Sequence, residues 1–573
     1  MTSLRVWRAV LWRTVGVLDA QCGLRMRYHG VFGGRGHELR RRLILCGWLS
    51  VGMLLPGCSG HEGGPERPHP ALQHRQDRRR PPGGKVAASS GKGVPNVGRE
   101  GAAYRAAREA PGPTDPYAAA GPRGVDWPRF LGPTGDGKSP ETGTLTDWGE
   151  TGPPVVWHRK LGESYGIGTV SRGRYYQFDR FGDRAVLDCL DAETGEPIWQ
   201  FGYPTEFVDH YNYNGGPRCS PIVDGERVYL FGAAGMLHCV RAGDGELLWR
   251  VDTAERFGVV QNFFGVGSSP VVEGDLLIVM IGGSPPRSEE IARRDFRMLR
   301  GNGTGVVAFD KHTGEVKYAI TDELASYATP RLATIGGRRW CFVFARGGLL
   351  GFEPATGKVD FHYPWRSDLL ESVNAATPVV VGDEVFVSET YGPGGSLLKV
   401  RPGGYEVVWR DGPGRDKVMQ CHWATPIYYD GHLYGCSGRH TRNAELRCIE
   451  WKTGQVKWSE PGLRRTSLLY VDGHFVCLSE DGVLRLVKAT PEAYTEVARC
   501  VLREPGDDTD AAATVGPSVD ANADPSDRPP LLEYPCWAAP ILSRGLMYVR
   551  GRDRLVCVRL IARRSECRLS VPR

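Results

Sequence analysis

The sequence predicts an all-β fold made of repeated four-stranded units, and three observations carry this prediction. Glycine is in surplus, at 76 of 573 residues against an ordinary ~7%, which indicates many tight turns. A phrase of a small residue, proline and branched residues before Asp-Gly or Gly-Asp recurs along the chain. A second phrase, Asp-x-x-Thr-Gly followed by a large aromatic residue, recurs between copies of the first. With 41% apolar residues, a large core can be buried and global disorder is excluded.

The first phrase marks the innermost strand of each unit, as in Ser220-Pro221-Ile222-Val223. Its anchors lie at residues 169, 221, 270, 330, 378, 426, 469 and 540. Four short strands per ~50 residues with an aromatic signature are typical of a β-propeller. Eight anchors predict eight four-stranded blades, and the weak unit at 469 leaves seven as the alternative. The long gap before the last anchor contains Pro505 to Pro530, which is acidic and rich in Pro and Ala. We expect residues 505–530 to be a disordered insertion.

The second phrase predicts a tight turn followed by an outer strand. Asp191 to Gly195 leads to Trp199, and the glycine supplies the positive φ that the turn needs. Corresponding large rings are Trp249, Tyr318, Phe361, Trp409 and Trp458. Each ring is expected to pack between adjacent blades. Four cysteines occupy one equivalent repeat position, namely Cys189, Cys239, Cys448 and Cys557. We interpret them as buried packing thiols, because equivalent positions on neighbouring blades are too far apart for a disulfide.

The ends of the repeat region indicate how the ring closes. The last unit ends near Leu560 with only three obvious strands. Val155-Val156-Trp157 precedes the first anchor and can supply the fourth. The sequence therefore predicts that an N-terminal strand joins the last blade. The propeller is expected to cover residues 126–561, with 562–573 as a C-terminal tail.

The start of the chain is typical of an export signal. Arg40 to Arg42 precede the apolar run Leu43 to Gly57, which is shorter than the ~20 residues that span a bilayer. The run ends before Cys58 in a sequence that resembles a bacterial lipobox. We expect residues 1–58 to be a signal region, with 1–25 upstream of the true start and Cys58 lipidated. A plain export signal with a chance cysteine is the alternative. Residues 59–125, rich in Gly, Pro and Arg, are predicted to be a disordered tether.

The charge distribution argues against nucleic-acid binding. Residues 1–125 carry 20 Lys and Arg against 8 Asp and Glu, whereas the remainder carries 52 against 58. The basic excess therefore lies outside the predicted propeller, where a nucleic-acid footprint would be needed.

Residues just before the inner strands are expected to surround one mouth of the central channel. Aromatic and arginine side chains at an exposed concave mouth favour a binding surface. Channel filling and blade packing is the alternative for the same residues. The candidates are Tyr165, His210, Tyr211, Tyr213, Arg218, Asn262, Tyr327, Asn374, His422, Trp423, Arg465 and Trp537.

The Asp-Ala-x-Thr-Gly-x-x-x-Trp phrase resembles the quinoprotein (PQQ-like) repeat. Asp126 to Pro133, followed by Asp136-Gly137, is similar to the opening segment of PQQ-binding-like propeller proteins of the planctomycete type, which are usually described as BamB-like. The resemblance covers residues 126–561 and implies a β-propeller. It also implies two functions: a non-enzymatic scaffold, or an oxidoreductase that uses pyrroloquinoline quinone (PQQ) held by calcium.

Features that the resemblance would require of a quinone enzyme are missing from the sequence. There is no Cys-Cys pair for a vicinal disulfide and no Cys-x-x-Cys-His haem motif. Oxygen ligands for calcium could come from Asp209, Glu206, Asn214 and Asn374, although polar loop residues are the simpler interpretation. We therefore expect a non-catalytic scaffold without metal or cofactor. We expect it to bind an envelope protein or glycan, to face the periplasm and to be lipid-anchored to the outer membrane, with an oligomeric state that the sequence leaves open. The PQQ- and calcium-dependent oxidoreductase is the alternative.

Overall fold

The computed structural model describes residues 124–149, 151–370, 372–504 and 528–562. These residues form eight antiparallel four-stranded sheets, one of which carries a fifth strand. The predicted eight-bladed β-propeller is therefore confirmed, and the seven-bladed alternative is wrong. The predictions for residues 1–58 with Cys58, for 59–123 of the tether, for most of the 505–530 insertion and for nearly all of the tail lie outside the described residues.

The strands follow the chain in blade order. Before the first blade lie β1 (Lys138–Ser139) and β2 (Val155–Lys160). Blade 1 contains β3 (Thr169–Ser171), β4 (Arg174–Phe181), β5 (Arg184–Asp191) and β6 (Pro197–Pro204). Blade 2 contains β7 (Ile222–Asp224), β8 (Arg227–Phe231), β9 (Met236–Arg241) and β10 (Leu247–Asp252). Blade 3 contains β11 (Val271–Glu273), β12 (Leu276–Met280), β13 (Val306–Asp310) and β14 (Val316–Ile320). Blade 4 contains β15 (Arg331–Ile335), β16 (Arg338–Phe344), β17 (Gly348–Phe352) and β18 (Val359–Pro364).

The second half of the ring repeats this plan. Blade 5 contains β19 (Val379–Val381), β20 (Glu384–Glu389), β21 (Gly394–Arg401) and β22 (Gly404–Arg410). Blade 6 contains β23 (Ile427–Tyr429), β24 (His432–Ser437), β25 (Glu445–Glu450) and β26 (Val456–Pro461). Blade 7 contains β27 (Thr466–Val471), β28 (His474–Ser479), β29 (Val483–Lys488) and β30 (Glu496–Val501). Blade 8 contains β31 (Ile541–Ser543), β32 (Leu546–Arg550) and β33 (Arg554–Arg559), together with β2.

Burial along a blade explains its sequence pattern. The two middle strands are covered on both faces by neighbouring blades, so they read as continuous apolar runs, as in β8 and β9. The outer strand β10 alternates between exposed and covered residues, with Trp249 buried. Six of the eight inner strands begin next to a proline such as Pro221, at an edge with no partner strand where a missing N–H is tolerated.

The aromatic rings of the outer strands pack between adjacent blades, as predicted. Five of them lie against a turn glycine of the next blade, whereas Phe361 contacts Tyr405 of blade 5 instead. The Trp199 ring lies where a β-carbon on Gly245 would come within 2.6 Å of it, so only glycine fits there. The Trp199 Nε1–H also donates to the Ala242 carbonyl at 3.2 Å. Trp157 and Trp249 donate in the same way to the Ala192 and Lys311 carbonyls. This contact therefore links consecutive blades.

The four repeated cysteines lie directly opposite these rings in the sheet. Cys189 pairs with Trp199, and Cys239 pairs with Trp249. All four are buried free thiols, which confirms the packing interpretation. A small side chain leaves room for the indole of the neighbouring strand, and Ala308 opposite Tyr318 does the same.

Hydroxyl groups at the anchors form a second link between blades. The Ser220 N–H donates to Ser269 Oγ at 3.1 Å, and the Ser269 N–H donates to Thr329 Oγ1 at 3.2 Å. The Thr377 N–H donates to Thr425 Oγ1 at 3.0 Å. The small residue before the proline is therefore serine or threonine where its hydroxyl oxygen accepts a backbone N–H group of the preceding blade.

The N-terminal strand closes the ring. β2 pairs antiparallel with β33, with Trp157 opposite Cys557. The predicted closure is confirmed, and the strand extends to Lys160. Because a closed ring has no unpaired blade, it removes the edge that would otherwise template aggregation.

Residues 124–149 cross the channel on the side where the inner strands end. The Val223 N–H in blade 2 donates to the Pro128 carbonyl, and the Tyr470 N–H in blade 7 donates to the Gly137 carbonyl. β1 adds a parallel strand to β27. The Glu141 carboxylate accepts the N–H groups of Arg544 and Gly545 at 2.8 and 2.7 Å. This segment, called the plug below, obstructs one end of the channel.

Helices are few and short. α1 (Thr253–Phe257) and α2 (Ser288–Arg294) lie in connections on the other side of the ring, and a 3₁₀ turn covers Phe296–Met298. In the described part of the chain, no helix combines the length and the apolar character needed to cross a membrane.

Candidate functional site

The open end of the channel lies opposite the plug. Strands alternate in direction, so the connections between blades and the connections between the second and third strands of a blade meet on this face, called the mouth. The predicted mouth residues lie in or next to these connections. They form two groups, one spanning blades 6, 7, 8 and 1 and the other spanning blades 1 to 4.

The first group is a cluster of rings in contact with each other. Trp537 lies 4.9 Å from Tyr165 and 5.0 Å from Trp423, measured between ring centroids. His422 lies 4.7 Å from Trp423. Arg465 packs over the Trp423 ring at 4.7 Å. Four predicted residues from different blades are thus brought together with Tyr165, and each is partly covered by the others.

A buried carboxylate fixes this ring cluster. The Glu480 side chain is fully buried and pairs with Arg465 at 2.6 Å. It also accepts the Trp537 Nε1–H at 3.1 Å, while the Trp423 Nε1–H donates to the Trp537 carbonyl at 3.1 Å. Both indole N–H groups are therefore occupied within the protein, and the rings join blades 6, 7 and 8.

His422 is held neutral in this environment. Burial, followed by the positive charges of Arg465 and Arg439, lowers the pKa of His422 to about 3. Its Nε2 lies 3.2 Å from the Tyr391 hydroxyl, which can donate to it. A neutral imidazole suits a packing and hydrogen-bonding role within the cluster.

The second group contains the exposed aromatic surface of the mouth. Tyr211 and Tyr213 are 41% and 65% exposed and stack on each other at 5.7 Å. Tyr213 also stacks on Phe264, with an angle of 15° between the ring planes. These three rings form what we call the aromatic shelf. His210 is exposed beside Tyr211, at 5.2 Å, with Phe263 beneath it.

A buried aspartate holds the shelf in place. Asp209 accepts the N–H groups of Tyr211, Tyr213 and Asn214 at 2.9 to 3.1 Å. Its carboxylate also pairs with Arg218 at 2.9 Å, with no exposed side-chain surface. The shelf is therefore displayed on a rigid turn, and the oxygens of Asp209 are already occupied.

Arg218 and Tyr327 connect the shelf to the rest of the mouth. The Arg218 guanidinium packs over Tyr165 at 5.6 Å, which joins the two groups. The Tyr327 hydroxyl accepts the Phe264 N–H at 3.0 Å, and burial raises the pKa of Tyr327. Arg218 and Tyr327 therefore hold the exposed rings of the shelf in place and contribute little exposed surface themselves.

Two predicted residues lie below the surface of the mouth. Asn374 is 1% exposed, and its amide donates to the Ala345 and Trp365 carbonyls at 2.7 and 3.2 Å. Asn262 is half-buried, and its Oδ1 accepts the Phe263 N–H at 2.9 Å. These residues hold connections in place. From the sequence, a position just before an inner strand looks the same whether the side chain faces the channel or supports a connection.

Several mouth residues were missed from the sequence because they end second strands. Glu480 follows β28, Glu389 ends β20 and Arg346 follows β16, and all three are buried. In blade 8, Arg550 pairs with Asp179 of blade 1 at 3.1 Å. Their signal was a charged residue directly after an apolar strand, a position where the repeat usually has small or apolar residues.

The residues at the mouth do not fit a calcium-held quinone. In the parts of the chain that the structure describes, no three His, Cys, Asp or Glu side chains lie close enough to hold a metal ion. Trp537 contacts both Tyr165 and Trp423, at 4.9 and 5.0 Å between ring centroids, so a flat ring would have to separate them. Of the four possible oxygen ligands, the side-chain oxygens of Asp209 and Asn214 accept internal backbone hydrogen bonds, whereas Asn374 Oδ1 is buried without a hydrogen-bond partner among the described residues.

Comparison with solved structures places the fold among known propellers. The chain is similar to a quinohemoprotein alcohol dehydrogenase from Comamonas testosteroni, with 12% identity and a TM-score of 0.50 over 77% of this chain and 81% of that one. It is also similar to BamB from Moraxella catarrhalis, with 13% identity and a TM-score of 0.46 over 71% and 99% of the two chains. At this identity the similarity shows the fold alone. No curated protein sequence matches the chain.

A protein-family model agrees with the repeat pattern. The model described as outer membrane protein assembly factor BamB matches residues 142–285 and 183–460. The two overlapping matches cover more than half of the 573 residues and most of the propeller. The protein is therefore a PQQ-like β-propeller repeat protein that belongs to the family of the outer membrane protein assembly factor BamB.

Proposed function

We propose that the protein is a non-catalytic binding scaffold in the bacterial cell envelope and that it binds a partner protein at the mouth of the propeller. The aromatic shelf is the observation that carries this proposal. Tyr211 and Tyr213, 41% and 65% exposed, stack with Phe264 into one contiguous aromatic surface, the kind of exposed patch that marks an interaction site. Exposed tyrosines supply large contact area at low cost in side-chain entropy, which is why they are frequent at interfaces.

The rigid presentation of the shelf supports the same function. Asp209 fixes the turn through three backbone N–H groups and Arg218. Binding then requires little ordering of the loop, so less of the contact energy is lost on association. A turn that served only to connect two blades would not need a buried ion pair beneath exposed rings.

The envelope location rests on the family and on the start of the chain. The matching family model is described as an outer membrane assembly factor. The basic and apolar residues before Cys58 favour export and lipid attachment. A protein partner in the envelope fits both observations, and a glycan partner is the outcome that the experiment below would distinguish.

The proposal is tested by capture from an envelope extract of the source bacterium. The full-length protein is immobilised next to the double variant Tyr211→Ser/Tyr213→Ser. We expect the double variant to lose about ten-fold or more of the captured protein, since exposed tyrosines at an interface contribute on the order of 1 kcal/mol or more each. Mass spectrometry identifies the captured protein, and protease treatment of the extract removes it.

The matched control is Leu247→Ser/Leu248→Ser, on the outer strand β10 of blade 2. These side chains are 39% and 36% exposed, which is similar to the 41% exposure of Tyr211. They lie on the rim of the propeller, away from the mouth. Capture should be unchanged in this control. Equal capture by both double variants would contradict the proposal, and capture that survives protease but not glycosidase treatment would replace the protein partner by a glycan.

A further inference from the structure

The cleft between blades 3 and 4 contains an arginine that is buried without an ion pair. Arg346 follows β16 and is 5% exposed. Its guanidinium packs over the Phe296 ring, 4.3 Å from the ring centroid. Its Nη2 has no hydrogen-bond partner, and in the described parts of the chain the side chain has no carboxylate in an ion pair. A buried guanidinium with an unsatisfied N–H group is unfavourable, so the site is suited to an anionic partner that accepts from it.

Buried arginines elsewhere in the mouth do have carboxylate partners. Arg550 pairs with Asp179 at 3.1 Å, and Arg465 pairs with Glu480 at 2.6 Å. These pairs lie in blades 7, 8 and 1, near the same ends of the second strands. Arg346 in blade 4 therefore differs from these arginines, because it has no carboxylate partner in the described parts of the chain.

The charged groups near Arg346 do not form an ion pair with it in the described parts of the chain. Arg366, in the connection to blade 5, is half-buried. Burial of Arg346 and, as the second cause, the positive charge of Arg366 lower the pKa of Arg346 to about 10. Glu323 already accepts from His362 at 2.9 Å and from the Gly347 N–H at 2.7 Å. Glu389 accepts from the Ser372 hydroxyl and the Tyr391 N–H. Both nearby carboxylates are thus occupied by other donors.

A basic loop covers this cleft. Residues 287–300 contain five arginines and three acidic residues. Phe296 and Leu299 of the loop line a cavity together with Arg346, and the cavity has a volume of about 20 Å³. That space admits a single oxygen-sized atom. On the outer side of the loop, Met298 is 59% exposed, which adds apolar surface next to the arginines.

We propose that this cleft binds a side-chain carboxylate of an acidic peptide segment in a partner protein, with one carboxylate oxygen in the cavity beside Arg346. The guanidinium offers planar, paired donors that match a carboxylate. The arginines of residues 287–300 then face the flanking acidic residues, and Met298 contacts apolar ones. This inference rests on the proposed function, because it specifies the chemistry of the partner segment at the mouth.

The test measures binding of a fluorescein-labelled (Asp-Phe)4 peptide to the full-length protein in detergent by fluorescence anisotropy. Compared with the wild type, Arg346→Gln should bind about ten-fold more weakly or worse, since truncating one side of a desolvated charge pair is costly. Arg346→Lys, which keeps the charge, should retain part of the affinity. Arg401→Gln, at an exposed position on the plug side, is the matched control and should bind like the wild type.

Two further readouts separate a binding role from a structural one. The (Asn-Phe)4 peptide, equal in shape but uncharged, should bind at least about ten-fold more weakly than the acidic peptide. The Tm of Arg346→Gln should be equal to or above that of the wild type, because the variant removes an unpaired buried charge. If Arg346→Gln fails to fold, Arg366→Gln takes its place in the same assay with a smaller expected loss.

Unchanged affinity in Arg346→Gln, or equal affinity for the two peptides, would overturn the inference. Displacement of the peptide by inorganic phosphate but not by acetate would overturn the assignment to a carboxylate. If the acidic peptide does not bind while capture through the aromatic shelf persists, this inference fails and the proposed function stands. Loss of shelf-dependent capture would instead remove the proposed function itself.

Discussion

At the scale of single residues, the contact between an outer-strand ring and a turn glycine determines how blades join. We predict that Gly245→Ala lowers the Tm more than Gly225→Ala does. Both glycines have positive φ, 77° and 58°, so both substitutions strain the backbone. Only at Gly245 would the added methyl group overlap the Trp199 ring, at 2.6 Å, whereas at Gly225 it meets no atom within 4 Å. Overpacking adds about 1–3 kcal/mol, and equal melting temperatures would show that the contact is not stabilising.

The pKa of His422 predicts a pH dependence of stability. The folded-state pKa of about 3 lies below the ordinary value of 6.5 because of burial and nearby arginines. As the pH falls from 6.5 towards 3, the unfolded chain binds a proton that the folded protein excludes, and stability is lost. His422→Gln should therefore be less stable than the wild type at pH 7.5, and this difference should shrink or reverse at pH 5. Thermal melts at both pH values, with the exposed His312→Gln as control, measure it. A difference that stays constant would contradict a neutral, buried imidazole.

Trp423 and Trp537 at the mouth also contribute to the stability of the folded protein. Trp423 and Trp537 contact each other and share Glu480 and Arg465. We expect Trp537→Ala to lower the Tm by several degrees, because it leaves the buried Glu480 with one donor fewer and opens the ring cluster. If its Tm is unchanged while partner capture falls, the rings themselves are the binding surface and the shelf is not.

At the scale of elements, the local pattern predicted what repeats. The inner-strand anchors and the outer-strand rings opposite Cys189 and Cys239 are readable because each follows from a spacing within one repeat. The long-range pairing of β2 with β33 was also predicted, because the last repeat lacks a strand that only the segment at Val155 could supply. The plug was not predicted, because the hydrogen bond between Gly137 and Tyr470 joins distant parts of the chain. Exposure at the mouth was only partly readable, since a place in the connection before an inner strand predicts neither the 1% exposure of Asn374 nor the 65% exposure of Tyr213.

The plug and the closing strand allow a graded truncation experiment. Deleting residues 59–125 should leave a folded, soluble propeller, because few described contacts are lost. Extending the deletion through residue 149 removes the plug but keeps β2, so the Tm should fall while the blades persist. Extending it through residue 160 removes β2 and leaves the edge of β33 unpaired, so the protein should aggregate. Circular dichroism and size-exclusion chromatography distinguish these outcomes, and a soluble, cooperatively melting product of the longest deletion would contradict closure by β2.

At the scale of the whole molecule, we expect a lipid anchor at Cys58 to hold a propeller that is open at one end. We predict that Cys58→Ala shifts the protein from the detergent phase to the aqueous phase in a bacterial host, because lipid attachment at that thiol is the expected anchor. The substitution lies far from the propeller in sequence, so the purified variant should keep the wild-type Tm. An unchanged membrane fraction would remove the lipoprotein hypothesis and leave the plain export signal.

The most direct measurement of the binding claim is photo-crosslinking in living cells. A photoreactive phenylalanine analogue replaces Tyr213 on the shelf, Leu248 on the rim of blade 2 or Arg401 on the plug side, in otherwise wild-type protein. We expect a discrete crosslinked protein adduct from position 213 and none from positions 248 and 401. Adducts from position 248 or 401 without one from position 213 would contradict the claim that the mouth of the propeller is where this protein binds its partner.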